Sequence, residues 1–316
     1  MEVKVILVGN GYFGSIYRER IQSSADYELV GVVDPDYENL AGLEALTLGE
    51  NYDTLAKNIE HDAVVICSPP STHLSISISA MESGKHVLCA KPGSLSLNDA
   101  YYMHGIARAN NVALIVDYTM LWAAENPFIG SQMQALGAPE SMSSERSVVT
   151  GPKDEGIIWD LLCHDVAMYL HQMGSIVPTA VKCRLDNESA SVSAHMYCGD
   201  EQVAFMTAKY NATYAAKKIL LRCKPNDYLT NPRFSIEWDQ NQRSVRVESQ
   251  GKHVEAFFKH KPDPISSCLE RFHVVCGGDD QNMDRIFLHY HGFVCRILEA
   301  FNQSADNDGV LIKVRA

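Results

Sequence analysis

The sequence predicts two domains in series: an α/β domain with a parallel sheet and crossover helices, then an α+β domain built on an open antiparallel β-sheet. Three observations carry that reading. Residues 1–120 alternate β-branched runs with helical periods, as crossover connections in a parallel sheet require. A glycine-rich turn joins the first run directly to the first helix. From about residue 180 the period becomes two, apolar and polar residues alternating as in a sheet with one solvated face. The domains are therefore drawn at 1–120 and 121–316.

Each element follows from local pattern. Residues 3–8 are a β-branched run, 9–14 a glycine turn and 15–23 a helix; 29–33 is a buried strand ending on Asp34. A polar, Leu-spaced stretch runs to about Gly49, and 54–59 reads as helix. Residues 63–67 form a strand broken by Ser68-Pro69-Pro70, and 73–83 a helix ended by Gly84 in the left-handed conformation. Residues 86–89 are a strand stopping at Lys91-Pro92-Gly93, 96–110 a helix and 112–116 a strand. Beyond Tyr118 the pattern gives helices over 125–136 and 156–173. Strands follow over 181–185, 191–197, 202–210, 217–223, 234–239 and 244–249, then a last helix over 282–301.

Composition excludes several classes. The chain carries 27 basic and 39 acidic residues, a net −12, which disfavours a nucleic-acid or anionic-membrane surface. No apolar stretch approaches the ~20 residues that cross a bilayer, and the N-terminus lacks the regions of a signal peptide. Nine cysteines, an odd count without a CxxC pair, read as reduced thiols of a cytoplasmic protein. His289 and His291 fall on different faces of a helix, and no Cys/His spacing supports zinc, so no metal is expected.

Gly9-Asn10-Gly11-Tyr12-Phe13-Gly14 fits GxGxxG between a strand and a helix, the context of a Rossmann dinucleotide-binding turn. Gly9 permits the turn, Gly11 lets backbone amides approach a pyrophosphate, and Gly14 allows close helix–strand packing. Asp34, 20 residues after Gly14, stands where a carboxylate binds a ribose 2′-hydroxyl. That carboxylate repels a 2′-phosphate, and Pro35-Asp36-Tyr37-Glu38 offers no base to hold one. NAD is the expected cofactor, ahead of NADP.

Further motifs fall on the edge of a parallel sheet where ligands bind. Ser68, Pro69 and His73 follow one strand, with His73 read as scaffolding of the cofactor site, and Lys91-Pro92 ends the next. Asp160 and His164, at i and i+4 of a helix, share one face. Oxidising an alcohol carbon needs a base near neutrality, which histidine supplies, and a cation to stabilise the developing alkoxide, which lysine supplies.

Taken in order, Gly9–Gly14, the segment Cys67-Ser68-Pro69-Pro70-Ser71-Thr72-His73, Ala90-Lys91-Pro92 and the Asp160…His164 pair resemble the Gfo/Idh/MocA family. The motifs cover about the first 175 residues; the remainder matches in architecture. The resemblance implies NAD-dependent hydride transfer on a sugar, nucleotide sugar or cyclitol. His164 is then the acid/base, Lys91 lies beside both the nicotinamide and the reacting hydroxyl, Asp160 positions the ring, and the open sheet serves a homo-oligomer, a dimer or tetramer. The segment from Gly151-Pro152 through His164-Asp165 looks most like the nucleotide-sugar and cyclitol branch. Two departures stand out: Ala90 replaces the usual glutamate before the lysine, and 117–122 departs from the usual Tyr-Asn-Tyr-Arg-like segment, with Thr119 at the asparagine position. The family also includes glycosidases that use transient oxidation and non-catalytic regulatory proteins that sense NAD or sugar, so both alternatives stand beside the dehydrogenase reading.

Overall fold

The computed structural model describes residues 2–43, 46–174, 176–225, 233–278 and 283–314, the side chains of 283–289 excepted. The chain forms two compact units. One comprises Met1–Thr119 with Pro264–Cys295, the other Met120–Asp263 with Arg296–Ala316.

In the first unit, β1 (Val3–Val8), β2 (Tyr27–Val33), β3 (Thr47–Gly49), β4 (Ala63–Ile66), β5 (His86–Ala90) and β6 (Leu114–Asp117) form a six-stranded sheet. Its order is β3-β2-β1-β4-β5-β6, with every neighbouring pair parallel. Helices α1 (Tyr12–Ser23), α2 (Tyr52–Ala56), α3 (Pro70–Glu82) and α4 (Leu97–Ala109) connect the strands. Crossovers place helices on both faces, so the central strands are apolar throughout: Val5, Ile6, Leu7, Val64, Val65 and Ile66 are all buried. The strand order reverses between β1 and β4, and the loops after these strands meet at the C-terminal edge, the place where an open α/β sheet binds ligands. Gly84 closes α3 at φ +74°, the expected left-handed cap. The short edge strand β3 lies inside the stretch the sequence reading left as polar chain.

The second unit opens with α5 (Glu125–Leu136) and β7 (Pro139–Ser147). A π-helical turn, Ile158–Leu162, leads into α6 (Cys163–Met173). Then come β8 (Ala180–Asp186), β9 (Ser191–Cys198), β10 (Glu201–Lys209), β11 (Ala216–Cys223), β12 (Phe234–Asp239), β13 (Ser244–Ser249) and β14 (Lys252–Phe257). With β15 (Ile312–Lys313) they form a nine-stranded sheet, β14-β13-β12-β11-β7-β10-β9-β8-β15. It is mostly antiparallel, as expected, with one parallel pair: β7 sits at the centre and runs parallel to β10, while the other pairs are antiparallel. Alternation holds along the strands, with Val192, Ala194 and Met196 of β9 buried and Ser191, Ser193, His195 and Tyr197 half-buried. Helix α6 packs on β7 and α5 on β13.

Two helices follow the sheet. Pro264–Cys276 (α7) belongs to the first unit, although it lies inside the 121–316 segment drawn as the second domain. Met283–Ala305 (α8) contributes residues up to Cys295 to the first unit and Arg296 onward to the second. Asn282, where the sequence reading starts this helix, lies outside the described residues.

Candidate active site

The glycine turn is fixed by contact on two sides. Gly9 has φ +86°, and a Cβ there would lie 2.5 Å from the Ser68 amide nitrogen, so the loops after β1 and β4 touch through it. A Cβ on Gly14 would lie 1.9 Å from the Gly9 carbonyl oxygen, which leaves glycine as the residue that lets α1 start this close to β1. Gly11 is different: a Cβ there would meet nothing within 4 Å. It is the N-cap of α1, makes no side-chain cap, and no acidic residue follows in the first turn, so the helix's leading amides face open space with their partial positive charge. Tyr12 projects into solvent and Phe13 packs edge-on against Tyr17 at 5.3 Å.

Asp34 directly follows β2 and is buried, 6% exposed. Oδ2 accepts the Asn10 N–H at 2.7 Å, while Oδ1 accepts the Asp36 N–H at 2.9 Å and the Asn39 Nδ2 at 3.2 Å. Three bonds hold the group still, and a carboxylate offers about four acceptor positions, so capacity for one further hydroxyl remains. The Asn10 side chain donates to the Asn39 carbonyl, and its Oδ1 is buried with no hydrogen-bond partner among the described residues.

His73, in the first turns of α3, is fully buried with its ring nitrogens each 2.8 Å from a backbone carbonyl, Nδ1 from Pro92 O and Nε2 from Ser68 O; the neutral ring donates to one of them and the charged ring to both. Burial lowers its pKa, with the two carbonyls acting in the opposite direction and the Lys91 charge adding to the lowering. Ser68 Oγ pairs with Thr72 Oγ1 at 2.7 Å. Pro69 caps α3, and the Lys91–Pro92 peptide is cis. His73 thus ties the Ser68-Pro69 loop to the Lys91-Pro92 loop, and Lys91 itself leaves the end of β5 half-exposed.

In the second unit the expected α-helix begins as a π turn, whose i→i+5 bonding marks many functional sites. From Ile157 to Leu170 every side chain is buried except that of His164, which is half-exposed. Asp160, buried, accepts a hydrogen bond from Tyr210 Oη at 2.9 Å. Tyr210 follows β10; burial first, then the Asp160 charge, raises its phenol far above the ordinary range, so it stays a donor at any working pH. Sequence reasoning missed Tyr210, since nothing in its neighbourhood separates it from an ordinary strand-end aromatic. One residue beyond His164, Asp165 is held by Arg146 of β7 through two parallel bonds, Nε to Oδ2 at 3.0 Å and Nη2 to Oδ1 at 2.9 Å.

These residues fit a dinucleotide. The open cradle at Gly11, the unpartnered Asn10 Oδ1 and the immobilised Asp34 present amides for phosphate and acceptors for ribose hydroxyls. Among the described residues no group of three His, Cys, Asp or Glu side chains is placed to hold a metal ion, and no helix is long and apolar enough to cross a membrane.

Comparison with known proteins agrees with this geometry. Residues 3–118 match the oxidoreductase family with an NAD-binding Rossmann fold. UDP-N-acetylglucosamine 3-dehydrogenase of Acidithiobacillus ferrooxidans is 30% identical over 254 residues, covering 78% of this chain and 75% of that protein. Myo-inositol 2-dehydrogenase of Thermotoga maritima is 26% identical over 187 residues, 55% of this chain and 56% of that one. Among solved structures, GenD2 from gentamicin A biosynthesis, in complex with NAD, superposes with a TM-score of 0.83 at 18% identity, covering 100% of this chain and 97% of that one. By sequence over three-quarters of its length and by fold throughout, the chain belongs to the Gfo/Idh/MocA oxidoreductase family.

Proposed function

We propose that the chain is an NAD-dependent dehydrogenase that transfers a hydride between nicotinamide and a hydroxyl-bearing carbon of a sugar, nucleotide sugar or cyclitol. The observation that carries the chemistry is the pair Asp160 and His164: a half-exposed histidine in the otherwise buried run from Ile157 to Leu170, four residues after a carboxylate fixed by Tyr210. Bound NAD supplies the hydride acceptor, and Asp34 with its acidic neighbours favours NAD over NADP through repulsion of a 2′-phosphate. His164 takes the hydroxyl proton, Lys91 stabilises the oxygen that loses it, and Asp160 accepts from a neighbouring substrate hydroxyl. Gly9, Asn10, Gly11, Tyr12, Phe13, Gly14, Asp34, Ser68, Pro69, His73 and Pro92 form the cofactor side. Neither glycoside cleavage by transient oxidation nor a sensing role without chemistry draws support from any particular contact.

The half-buried outer face of the nine-stranded sheet, with Tyr197 and Phe205 on neighbouring strands, supports a dimer or tetramer. Six of the nine free thiols are buried, as suits a reducing cytoplasm. The test is to titrate the NAD-loaded protein with free sugars, nucleotide sugars and cyclitols and follow reduced nicotinamide. His164→Ala and Lys91→Ala are each expected to lose most of kcat with NAD affinity near normal. Retained turnover in both variants refutes the assignment.

A further inference from the structure

Two buried histidines contact the segment that follows Lys91, and a third backs one of them. On one side His73 binds the Pro92 carbonyl at 2.8 Å. On the other, His291 of α8 places Nε2 3.1 Å from Ser94 Oγ, and its Nδ1 lies 3.4 Å from His104 Nε2 of α4. Between these grips sits Gly93, where a Cβ would lie 3.0 Å from His291 Cε1 and 2.5 Å from Val116 Cγ2. Residues 92, 93 and 94 are thus each held from the interior, directly after Lys91.

The hydrogens on the His291 side can be assigned one by one. Ser94 Oγ donates to the Ser96 carbonyl at 3.0 Å, so it accepts from His291 Nε2–H. His291 Nδ1 then carries a lone pair and accepts from His104 Nε2–H. The Cys295 thiol, 3.4 Å from Ser94 Oγ, is a second donor. The chain ends at Ser96, whose side chain caps α4 by accepting the Asp99 N–H at 3.0 Å. Every member is neutral. Burial pushes His104 down to about 4, and burial, His104 and His73 push His291 well below its ordinary value. The Lys91 charge acts on His73, His73 and His104 act on His291, and the Cys295 thiol faces Ser94 from the same helix as His291.

Packing alone does not call for this arrangement. An apolar residue of the same volume would fill the space of His291 without the cost of burying ring nitrogens, but it would leave Ser94 with only the weak Cys295 thiol as donor and His104 Nε2–H without its acceptor. We propose that His291, backed by His104, is a positioning residue for Lys91, holding Gly93 and Ser94 while His73 holds Pro92, so that the lysine amine is presented in one fixed place. The proposal rests on the reading of Lys91 as the group that stabilises the substrate oxygen; supports of this kind decide whether a catalytic group meets its target to within an ångström.

The experiment measures Lys91 itself. Amine labelling of the intact protein, quantified on the Lys91 peptide by mass spectrometry across pH, gives the exposure and titration of the amine without any substrate. His291→Phe is expected to raise Lys91 labelling severalfold at unchanged NADH affinity and to lower kcat about tenfold with little change in KM. His291→Gln, whose amide can still donate to Ser94, should recover most of both. Ser94→Ala, which removes the acceptor with a minimal change in volume, should reproduce the effect if His291→Phe does not fold. Unchanged Lys91 labelling and pH profile in both His291→Phe and Ser94→Ala overturn the proposal. If Lys91→Met keeps full turnover, the role given to Lys91 in the reaction fails instead, and the labelling result still decides whether His291 holds the loop.

Discussion

The helix that carries His164 should depend on one buried ion pair more than on any surface feature. Arg146 and Asp165 have side chains 4% and 1% exposed and meet through a two-bond fork, with Gln240 Oε1 3.4 Å from the same Nη2. Arg146→Met keeps most of the stem but leaves the Asp165 carboxylate buried without its cation. Stranding one buried charge costs about 3–5 kcal/mol, whereas replacing both partners by apolar groups is often close to neutral. With a urea dependence of about 2–3 kcal/mol per molar, the single variant should unfold roughly 1–2 M earlier than the parent. Arg146→Met/Asp165→Leu should recover most of that loss, giving a coupling energy of more than about 1 kcal/mol in a double-mutant cycle. The assay is urea unfolding followed by circular dichroism, with His164-dependent turnover measured in the same samples. A midpoint in Arg146→Met within about 0.3 M of the parent, or a double variant as unstable as the sum of the singles, refutes the reasoning.

Two further outcomes follow from the same contacts. His104 has a folded pKa of about 4 against roughly 6.5 unfolded, so the unfolded chain binds the extra proton. Stability from this residue is complete above about pH 6.5 and is lost as pH falls toward 4, at up to ~1.4 kcal/mol per pH unit and about 3 kcal/mol in all. His104→Leu should flatten the dependence of the urea midpoint on pH between 6.5 and 5, and an unchanged slope rules His104 out as its source. Tyr210→Phe keeps the ring and deletes the bond to Asp160; losing a bond to a charged group, about 1.5–3 kcal/mol, should lower kcat about tenfold or more while NADH affinity stays put. Turnover equal to that of the parent would mean that Asp160 needs no such support.

What the sequence made legible was whatever depends on neighbours in the chain. The glycine turn, the strand before it, the helix after it and Asp34 all lie within 32 residues, and parallel-sheet topology brings them to one edge. Strand β7 was not legible. Pro139–Ser147 reads PESMSSERS, without a β-branched or aromatic residue, yet it occupies the middle of the sheet because partners on both sides supply its main-chain bonds. Its parallel pairing with β10 joins segments some 60 residues apart and has no local signature. Tyr210 was hidden for the same reason, lying 50 residues from Asp160. Helix α7 is another matter. Ile265, Cys268, Leu269, Phe272 and Val275 recur at helical spacing behind Pro264, so the signal was present and passed over. Its place with the first unit was beyond reach, because it returns after more than 140 residues of the other unit.

The departure at Ala90 gains a physical context from the sheet. A glutamate is usual at this position in the family, and here the end of β5 carries a buried methyl group instead. Ala90 pairs in parallel register with Asp117 at the end of β6, so the two residues stand side by side at the same level of the edge. Asp117 is fully buried and accepts from Tyr17 Oη at 2.5 Å and from Thr119 Oγ1 at 3.0 Å. Tyr17 belongs to α1, the helix that starts at the glycine turn, and its pKa is raised by burial and then by the Asp117 charge, which keeps the phenol a donor. A second carboxylate at position 90 would sit beside the first in a dry interior, where two like charges cannot both remain ionised without a large cost. The edge therefore has room for one buried carboxylate at this level, and β6 carries it. Thr119, at the position where the family usually has asparagine, donates to that same carboxylate. The two departures thus meet in one network at the end of β5, one residue before Lys91.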